Sequence, residues 1–212
     1  MPIDERKQRD SDLGEVATTV GGLLTMILRR GRFVAGQWTL PNGRAVTSRQ
    51  VETMLLRIER VGGRRAVRVT QEVLAGRIPL RVWTIRMTQI VKETHTLAAQ
   101  LAAGRSAVAE IGEELKYLAR FAKAIDKKRA GSPAKIKARA KSYLMAIGVT
   151  YAVTKLRVMS ALQYTEARRI RTARESCREC ISFAGRWMPI EMMPPKGSLL
   201  CGSRCRCQFE YR

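Results

Sequence analysis

The chain has 212 residues, which is long enough to bury a substantial core. Hydrophobic residues make up 45% of it and aromatic residues 6%, as is typical of a globular protein built from helices with aliphatic cores. Its 40 Lys and Arg against 18 Asp and Glu give a formal net charge of +22, so the surface repels itself unless a polyanion or acidic partner neutralises it. This composition excludes wholesale disorder and favours nucleic acid or an acidic protein as partner.

Residues 1–46 predict an N-terminal extension with an apolar segment and a small hairpin. The first twelve residues mix both charges and lack the apolar core of a secretory signal. The apolar run 13–28 contains Glu15 and is shorter than a membrane span requires, so we expect a buried or partner-facing segment and no membrane partner. After this run, β-favouring residues flank the turn signal Pro41-Asn42-Gly43, which predicts two short strands.

Helical periodicity dominates residues 47–175, the predicted basic helical domain. Thr47 and Gln50 have the spacing of a capping box, and the helix that they begin is expected to stop at Gly62-Gly63. The same periodicity and stop signals predict further helices over 65–75, 79–103, 106–128 and 133–171. Because the connections are short, consecutive helices are expected to be antiparallel neighbours in a bundle.

Basic residues are spread along these helices with few carboxylates to pair them. No Asp or Glu occurs between Asp126 and Glu166, so this stretch predicts contact with an external anion. Few aromatic residues interleave with the basic ones, which favours duplex phosphates or an acidic protein surface over single-stranded bases. The predicted contact residues are Lys127, Lys128, Arg129, Lys135, Lys137, Arg139 and Lys141.

All five cysteines lie within the last 36 residues, in the predicted Cys-rich tail 176–212. Cys177 and Cys180 form a pair with two residues between them, and Cys201 and Cys205 a pair with three. Two such short-spaced pairs deliver the four tetrahedral ligands that zinc prefers. The spacing therefore predicts a structural zinc site formed by Cys177, Cys180, Cys201 and Cys205, with Cys207 as an alternative fourth ligand.

Zinc binding of about 10–16 kcal/mol would order a segment this short. Two disulfides with a free thiol, or no crosslink, are the alternatives, and the odd cysteine count disfavours disulfides. If the sequence from Cys205 onward is a strand, Cys205 and Cys207 point to opposite faces. Nearby basic side chains are expected to offset the negative charge of four thiolates. They are Arg178, Arg186, Arg204 and Arg206.

A closed four-thiolate site leaves no position for a reactive water, which predicts that the protein is not an enzyme. The single histidine, His95, is distant in sequence from the cysteines and is interpreted as a core or surface residue. No glycine-rich phosphate loop, nucleophile turn or convincing carboxylate pair is present. The predicted fold class is mainly α: an antiparallel helical bundle with a small N-terminal hairpin and a C-terminal Cys-rich, zinc-stabilised module.

The C-terminal pattern resembles that of minor head (head-morphogenesis) proteins of tailed bacteriophages. It comprises the Cys177/Cys180 pair, GRWMPI, Pro-Pro, and a C-x3-CRC run near an aromatic-Arg ending. The helical sequences AGRIPLRVWTIRM, ELKYLARFAKAI and IKARAKSYLMAIGVTYAV are similar to the helical part of such proteins, so the resemblance covers residues 74–212. Many of these proteins have His-Pro before the final CRC, where this chain has Cys201-Gly-Ser-Arg.

The resemblance implies a non-enzymatic virion component, at the head or head–tail junction, that acts in head assembly after synthesis in the host cytoplasm. Its implied partners are portal, capsid or connector proteins, with packaged double-stranded DNA as a further contact and multiple copies in a symmetric assembly. The alternative hypothesis is a zinc-containing protein that binds duplex nucleic acid in the cell.

Overall fold

The structure, a computed structural model, describes residues 22–171, 176–202, 205 and 207–212. Within them the protein is mainly helical, with small antiparallel sheets and a cluster of cysteines near the C-terminus, as the sequence predicted. Most of the predicted apolar run 13–28, together with Arg204 and Arg206, lies outside the described residues.

The elements follow one another as helices and then a small sheet. The helices are α1 (Gly22–Arg30), α2 (Ser48–Leu74), α3 (Leu80–Ala103), α4 (Gly112–Asp126), α5 (Pro133–Met145), α6 (Ile147–Ala161) and α7 (Arg178–Phe183). The strands are β1 (Arg32–Val34), β2 (Gln37–Thr39), β3 (Glu166–Ile170), β4 (Trp187–Pro189) and β5 (Gln208–Tyr211). A 3-10 turn, Ile190–Met192, follows β4.

The predicted hairpin is present, and its tight turn lies earlier than expected. Strands β1 and β2 pair with Phe33 opposite Trp38, and the two-residue turn is Ala35-Gly36, both with positive φ. This is the backbone that a two-residue hairpin turn requires. The Pro41-Asn42-Gly43 signal makes a second turn, after which Ala45 bridges back to Thr39.

Helix α2 begins as predicted and ends later than predicted. Thr47 and Gln50 form both hydrogen bonds of the capping box. The expected stop at Gly62-Gly63 is wrong, because α2 continues through both glycines to Leu74. A Cβ on Gly62 would meet Thr94 Cγ2 of α3 at 2.7 Å, so glycine here permits a close helix crossing instead of a helix end.

Two predicted helices are shorter than the periodicity suggested. Helix α4 begins at Gly112, not at Ser106. The long helix predicted over 133–171 divides at Ala146 into α5 and α6, and the chain after Gln163, which has a φ of 65°, forms strand β3. Strand β3 pairs with both β4 and β5, and these backbone hydrogen bonds override the helical pattern.

Helices α2 and α3 each contribute residues to two apolar clusters. The first cluster joins α1, the hairpin, the N-terminal half of α2 and the end of α3, and it includes Ile27, Trp38 and Ile58. The other joins the C-terminal half of α2 to α3, α4 and α5, with Trp83 and Phe121 at its centre. The indole N–H of Trp38 donates to the Leu101 carbonyl at 3.0 Å, so the hairpin is fixed to the end of α3.

The C-terminal sheet is antiparallel with the order β4-β3-β5. Its middle strand precedes the predicted boundary between residues 175 and 176, so the sheet joins residues from both predicted units. Ala167 of β3 packs with Met159 of α6 and with Ile190 and Met193. Gln208 Nε2 donates to Glu52 Oε2 of α2 at 3.2 Å, a second contact between this sheet and the helices.

By length and composition alone, the helical stretch Pro133–Ala161 could cross a membrane. A core helix of a soluble protein meets the same criteria, and 22% of the most apolar part of this stretch is buried within the protein. The absence of a membrane partner stays a prediction.

His95 is fully buried between α3, α5 and α6. Its Nε2 lies 3.1 Å from the Tyr143 carbonyl oxygen, which can only accept, so Nε2 carries the proton. Nδ1 then accepts from the Thr150 hydroxyl at 2.7 Å. Burial lowers the pKa of His95, so the neutral imidazole acts as a hydrogen-bonding element of the core.

The two adjacent glycines of α2 provide a matched test of this packing. Gly62→Ala should lower the free energy of unfolding by about 1–3 kcal/mol, because the methyl group would clash with Thr94. Gly63→Ala should raise it by about 0.5–1 kcal/mol, because its Cβ would lie 3.4 Å from the flexible side chain of Lys141. Urea unfolding of both variants measures the difference, and equal effects would contradict the packing.

The buried imidazole also predicts a pH dependence. The unfolded chain binds a proton at His95 below about pH 6.5, whereas the folded chain, with its lowered pKa, does not. Its contribution to stability is therefore complete above that pH and is lost as the pH falls. Urea unfolding at pH 7.5 and 5.5 should show a smaller loss for His95→Gln than for the wild type. An identical loss in both proteins would argue against a neutral buried imidazole.

Candidate metal centre

The first two cysteines are positioned by the start of α7. Cys177 is the N-cap residue of this helix, with φ −64° and ψ 157°, and its Sγ accepts the backbone N–H of Cys180 at 3.4 Å. This turn brings the two side chains of the pair to the same side, as the two-residue spacing predicted. Cys180 is 1% exposed, so its sulfur lies inside the C-terminal module.

A loop brings the remaining cysteines against α7. The backbone N–H of Leu200 donates to Glu179 Oε2 of α7 at 2.7 Å. Gly202, with φ 50°, donates to the Leu199 carbonyl at 2.7 Å, and the N–H of Cys205 returns to the Gly202 carbonyl at 3.1 Å. This tight turn places Cys201 and Cys205 next to Cys180.

The five sulfurs form two groups of three that share Cys180. In one group the Sγ atoms of Cys177, Cys180 and Cys201 lie within 4.8 Å of one another, and in the other those of Cys180, Cys205 and Cys207 do. Cys180 Sγ is 3.4 Å from Cys201 Sγ and 3.8 Å from Cys205 Sγ. All five thiols are free. The chain therefore has clustered cysteines that could hold a metal ion.

Cys205 and Cys207 both face this cluster. They are each 3% exposed and precede β5, which begins at Gln208. The strand alternation that would have sent them to opposite faces therefore does not apply to them. Both Cys205 and the alternative ligand Cys207 remain available as the fourth ligand.

The guanidinium of Arg169 is buried against the sulfurs. Its side chain, from the middle strand β3, has no exposed surface. Nη1 lies 3.7 Å from the Sγ atoms of both Cys180 and Cys205, and Nη2 donates to the Pro194 carbonyl. The ring of Phe209 covers the guanidinium at 4.8 Å. Nε is buried without a hydrogen-bond partner.

No carboxylate pairs with Arg169 among the described residues, so the sulfur cluster is its nearest source of negative charge. A buried cation without a counter-charge is strongly unfavourable. Four thiolates around a divalent ion would carry a net charge of about −2, which suits a cation at this position. The donor set and the buried guanidinium thus fit an anionic metal–thiolate centre.

The arginines that the sequence predicted to offset the thiolate charge do not include Arg169. Arg178 and Arg186 are exposed, and neither contacts the sulfurs within the described part of the chain. Arg169 lies within residues 133–171, for which the periodicity predicts a helix. In a strand, Ala167 and Arg169 lie on the same face because they are two residues apart, and both are buried in β3. A strand prediction for this segment would therefore have placed Arg169 on the buried face.

The thiols differ in their affinity for protons. The backbone hydrogen bond from Cys180 lowers the pKa of Cys177 to about 7, whereas burial raises the pKa of Cys180 and raises that of Cys201 to about 11. A thiol must lose its proton to bind a metal. Cys177 therefore presents a thiolate near neutral pH, whereas Cys180 and Cys201 would have to lose their protons if a metal bound there.

The predicted polyanion-contact residues lie in two places. Lys127, Lys128 and Arg129 are exposed in the connection between α4 and α5. The others are on α5, where Lys137 is half-buried and the rest are exposed. They are Lys135, Lys137, Arg139 and Lys141. The Arg139 guanidinium lies over the Phe121 ring at 4.7 Å, so it also covers the core.

Comparisons of the chain with protein-family models, with curated proteins and with solved structures found no match. The resemblance to phage minor head proteins therefore stays a prediction from sequence motifs.

Arg169 offers a direct test of charge compensation at the cysteines. Arg169→Gln should weaken zinc binding by about 10–100-fold, because the thiolates lose their buried counter-charge. Arg168→Gln is the control, since Arg168 pairs with Glu210 and lies over Trp187 at 4.8 Å. Competition with a chromophoric chelator measures both affinities. Equal affinities for the two variants would show that Arg169 does not act on the metal.

Proposed function

We propose that this chain is a non-enzymatic structural protein whose cysteine cluster binds one zinc ion and thereby orders the C-terminal module. The observation that carries the proposal is the convergence of five sulfurs on Cys180, against a buried guanidinium with no carboxylate partner among the described residues. Zinc suits this donor set because it accepts four thiolates in a tetrahedral site and does no redox chemistry.

The ligand set is Cys177, Cys180, Cys201 and one of Cys205 and Cys207. The structure groups Cys180 with Cys177 and Cys201, and separately with Cys205 and Cys207. In this proposal either Cys205 or Cys207 moves in to complete a tetrahedron with the first three when the ion binds. The remaining thiol stays next to the site. With four protein ligands the ion keeps no open position for substrate or water, which is why the proposed role is structural.

We further propose that the protein acts in the assembly of a virion. The helices form an antiparallel bundle with a basic surface, and the zinc-ordered module presents a rigid end for docking to other proteins. The motifs of the C-terminal region support a virion protein at the head or head–tail junction, assembled in the host cytoplasm in multiple copies. Its partners in this proposal are portal, capsid or connector proteins, with packaged double-stranded DNA as a further contact.

A second candidate function is a zinc-containing protein that binds duplex nucleic acid in the cell. The net charge of +22 favours it independently of the motifs. A cellular DNA-binding protein should bind duplex unaided, with an affinity that falls steeply with salt. An assembly protein that also contacts packaged DNA can bind duplex too, so the distinguishing observation is its recovery from infected cells in stoichiometric complex with a protein partner.

Metal removal from the full chain tests the zinc proposal. A strong chelator should make the region after Ser176 sensitive to protease while leaving most of the helical circular dichroism unchanged, because α1 to α6 pack on apolar cores of their own. Zinc should reverse the change. A folded, protease-resistant C-terminal region without metal would contradict the proposal.

Serine variants provide the matched controls. Cys180→Ser should abolish stoichiometric zinc binding, since its sulfur belongs to both groups of three. Cys205→Ser and Cys207→Ser should differ, with the ligand variant losing zinc and the other retaining it. Zinc retained at wild-type affinity in Cys180→Ser would rule out the site.

A further inference from the structure

Helices α2 and α5 pack side by side and leave a basic groove of about 490 Å³ along their seam. Arg60, Arg64 and Arg68 of α2 line it together with Lys141 of α5. Three of these four cations lie outside the stretch 127–141, in which sequence analysis placed the polyanion contact. We name this surface the α2/α5 groove.

The three arginines of the α2/α5 groove form a regular row. They are four residues apart, so they project from one face of α2 at intervals of about 6 Å. All three are exposed, and so is Lys141. Gly63, between Arg60 and Arg64, has no side chain, and the Lys141 stem lies 3.4 Å from the position that a Cβ would occupy. Lys141 of α5 therefore lies next to the row.

Unlike neighbouring arginines, the four cations of the groove form no ion pair with a carboxylate among the described residues. On the other side of α2, Arg65 pairs with Glu93 at 2.7 Å, and Arg86 of α3 pairs with Glu72 at 2.8 Å. Within the described residues no carboxylate pairs with Arg60, Arg64, Arg68 or Lys141. Among the described residues, Glu59 is the acidic residue that lines the groove, and it already interacts with a partner. The α2/α5 groove therefore has a surplus of positive charge.

The chemistry of the groove fits a repeating phosphate chain. A guanidinium presents a planar pair of donors that matches phosphate oxygens, and a row of guanidiniums suits an anion with regularly spaced charges. Among the described residues no aromatic side chain lines the groove, so this part of the chain offers no platform on which unpaired bases would stack there. Contacts of this kind fix position on a duplex without reading its sequence.

We propose that the α2/α5 groove binds the phosphate backbone of duplex DNA through Arg60, Arg64, Arg68 and Lys141. This inference rests on the polyanion contact of the proposed function and gives that contact a specific surface. The metal centre is a separate set of residues, so the two proposals fail independently.

The test compares two triple variants of the zinc-loaded full chain. Arg60→Gln, Arg64→Gln and Arg68→Gln together remove the row. Arg81→Gln, Arg86→Gln and Arg157→Gln remove three exposed arginines elsewhere, so both proteins lose three charges. Fluorescence anisotropy measures the Kd for a mixed-sequence duplex of about 25 base pairs, at several salt concentrations. Circular dichroism and zinc content establish that both variants are folded.

The groove variant should raise the Kd at least about tenfold and should lower the slope of log K against log salt by about 2.7, at about 0.9 for each lost phosphate contact. The control variant should change the slope by less than about 1. Equal losses in the two variants, or no duplex binding by the wild type, would overturn the proposal. Stronger binding of polyglutamate than of duplex, with the same dependence on the groove, would assign the surface to an acidic protein instead.

Discussion

The buried guanidinium of Arg169 is the constraint on which the C-terminal module depends. A cation taken out of water needs a counter-charge, and the guanidinium of Arg169 contacts the cysteine sulfurs of Cys180 and Cys205 at 3.7 Å. Neutral thiols would leave the charge uncompensated, whereas thiolates held around a divalent ion supply a stable dianion. A metal bound by the cysteines would therefore link three parts of the module through one charged centre. They are strand β3, which carries Arg169, helix α7 and the residues before β5.

The sheet next to the cysteine region also contacts the helices. It contributes Ala167 to a cluster with Met159 of α6, and Gln208 bonds to Glu52 of α2. In the proposed function a metal held by the cysteines would fix the shape of the module, and the helices would carry the charged surface. In particular, the row Arg60 to Arg68 lies on α2, a helix that takes part in both apolar clusters and is therefore rigidly supported.

Sequence patterns predicted the local features and missed those that depend on distant contacts. The Thr47 capping box and the Cys177/Cys180 pair are set by residues a few positions apart, so they could be read directly. Gly62 was interpreted as a stop because its partner, Thr94, is distant in sequence. Arg169 fell within a predicted helix because the strands that pair with β3 come later in the chain.

The absorption spectrum of the cobalt-substituted protein tests whether an all-thiolate metal site is present at Cys180. Co²⁺ takes the tetrahedral sites that zinc prefers, and its d–d and sulfur charge-transfer bands report ligand type and geometry. With a four-thiolate site we expect saturation at one Co²⁺ per chain, an intense tetrahedral spectrum with strong thiolate bands, and full displacement by zinc. Saturation without thiolate bands, or a weak octahedral spectrum, would contradict such a site.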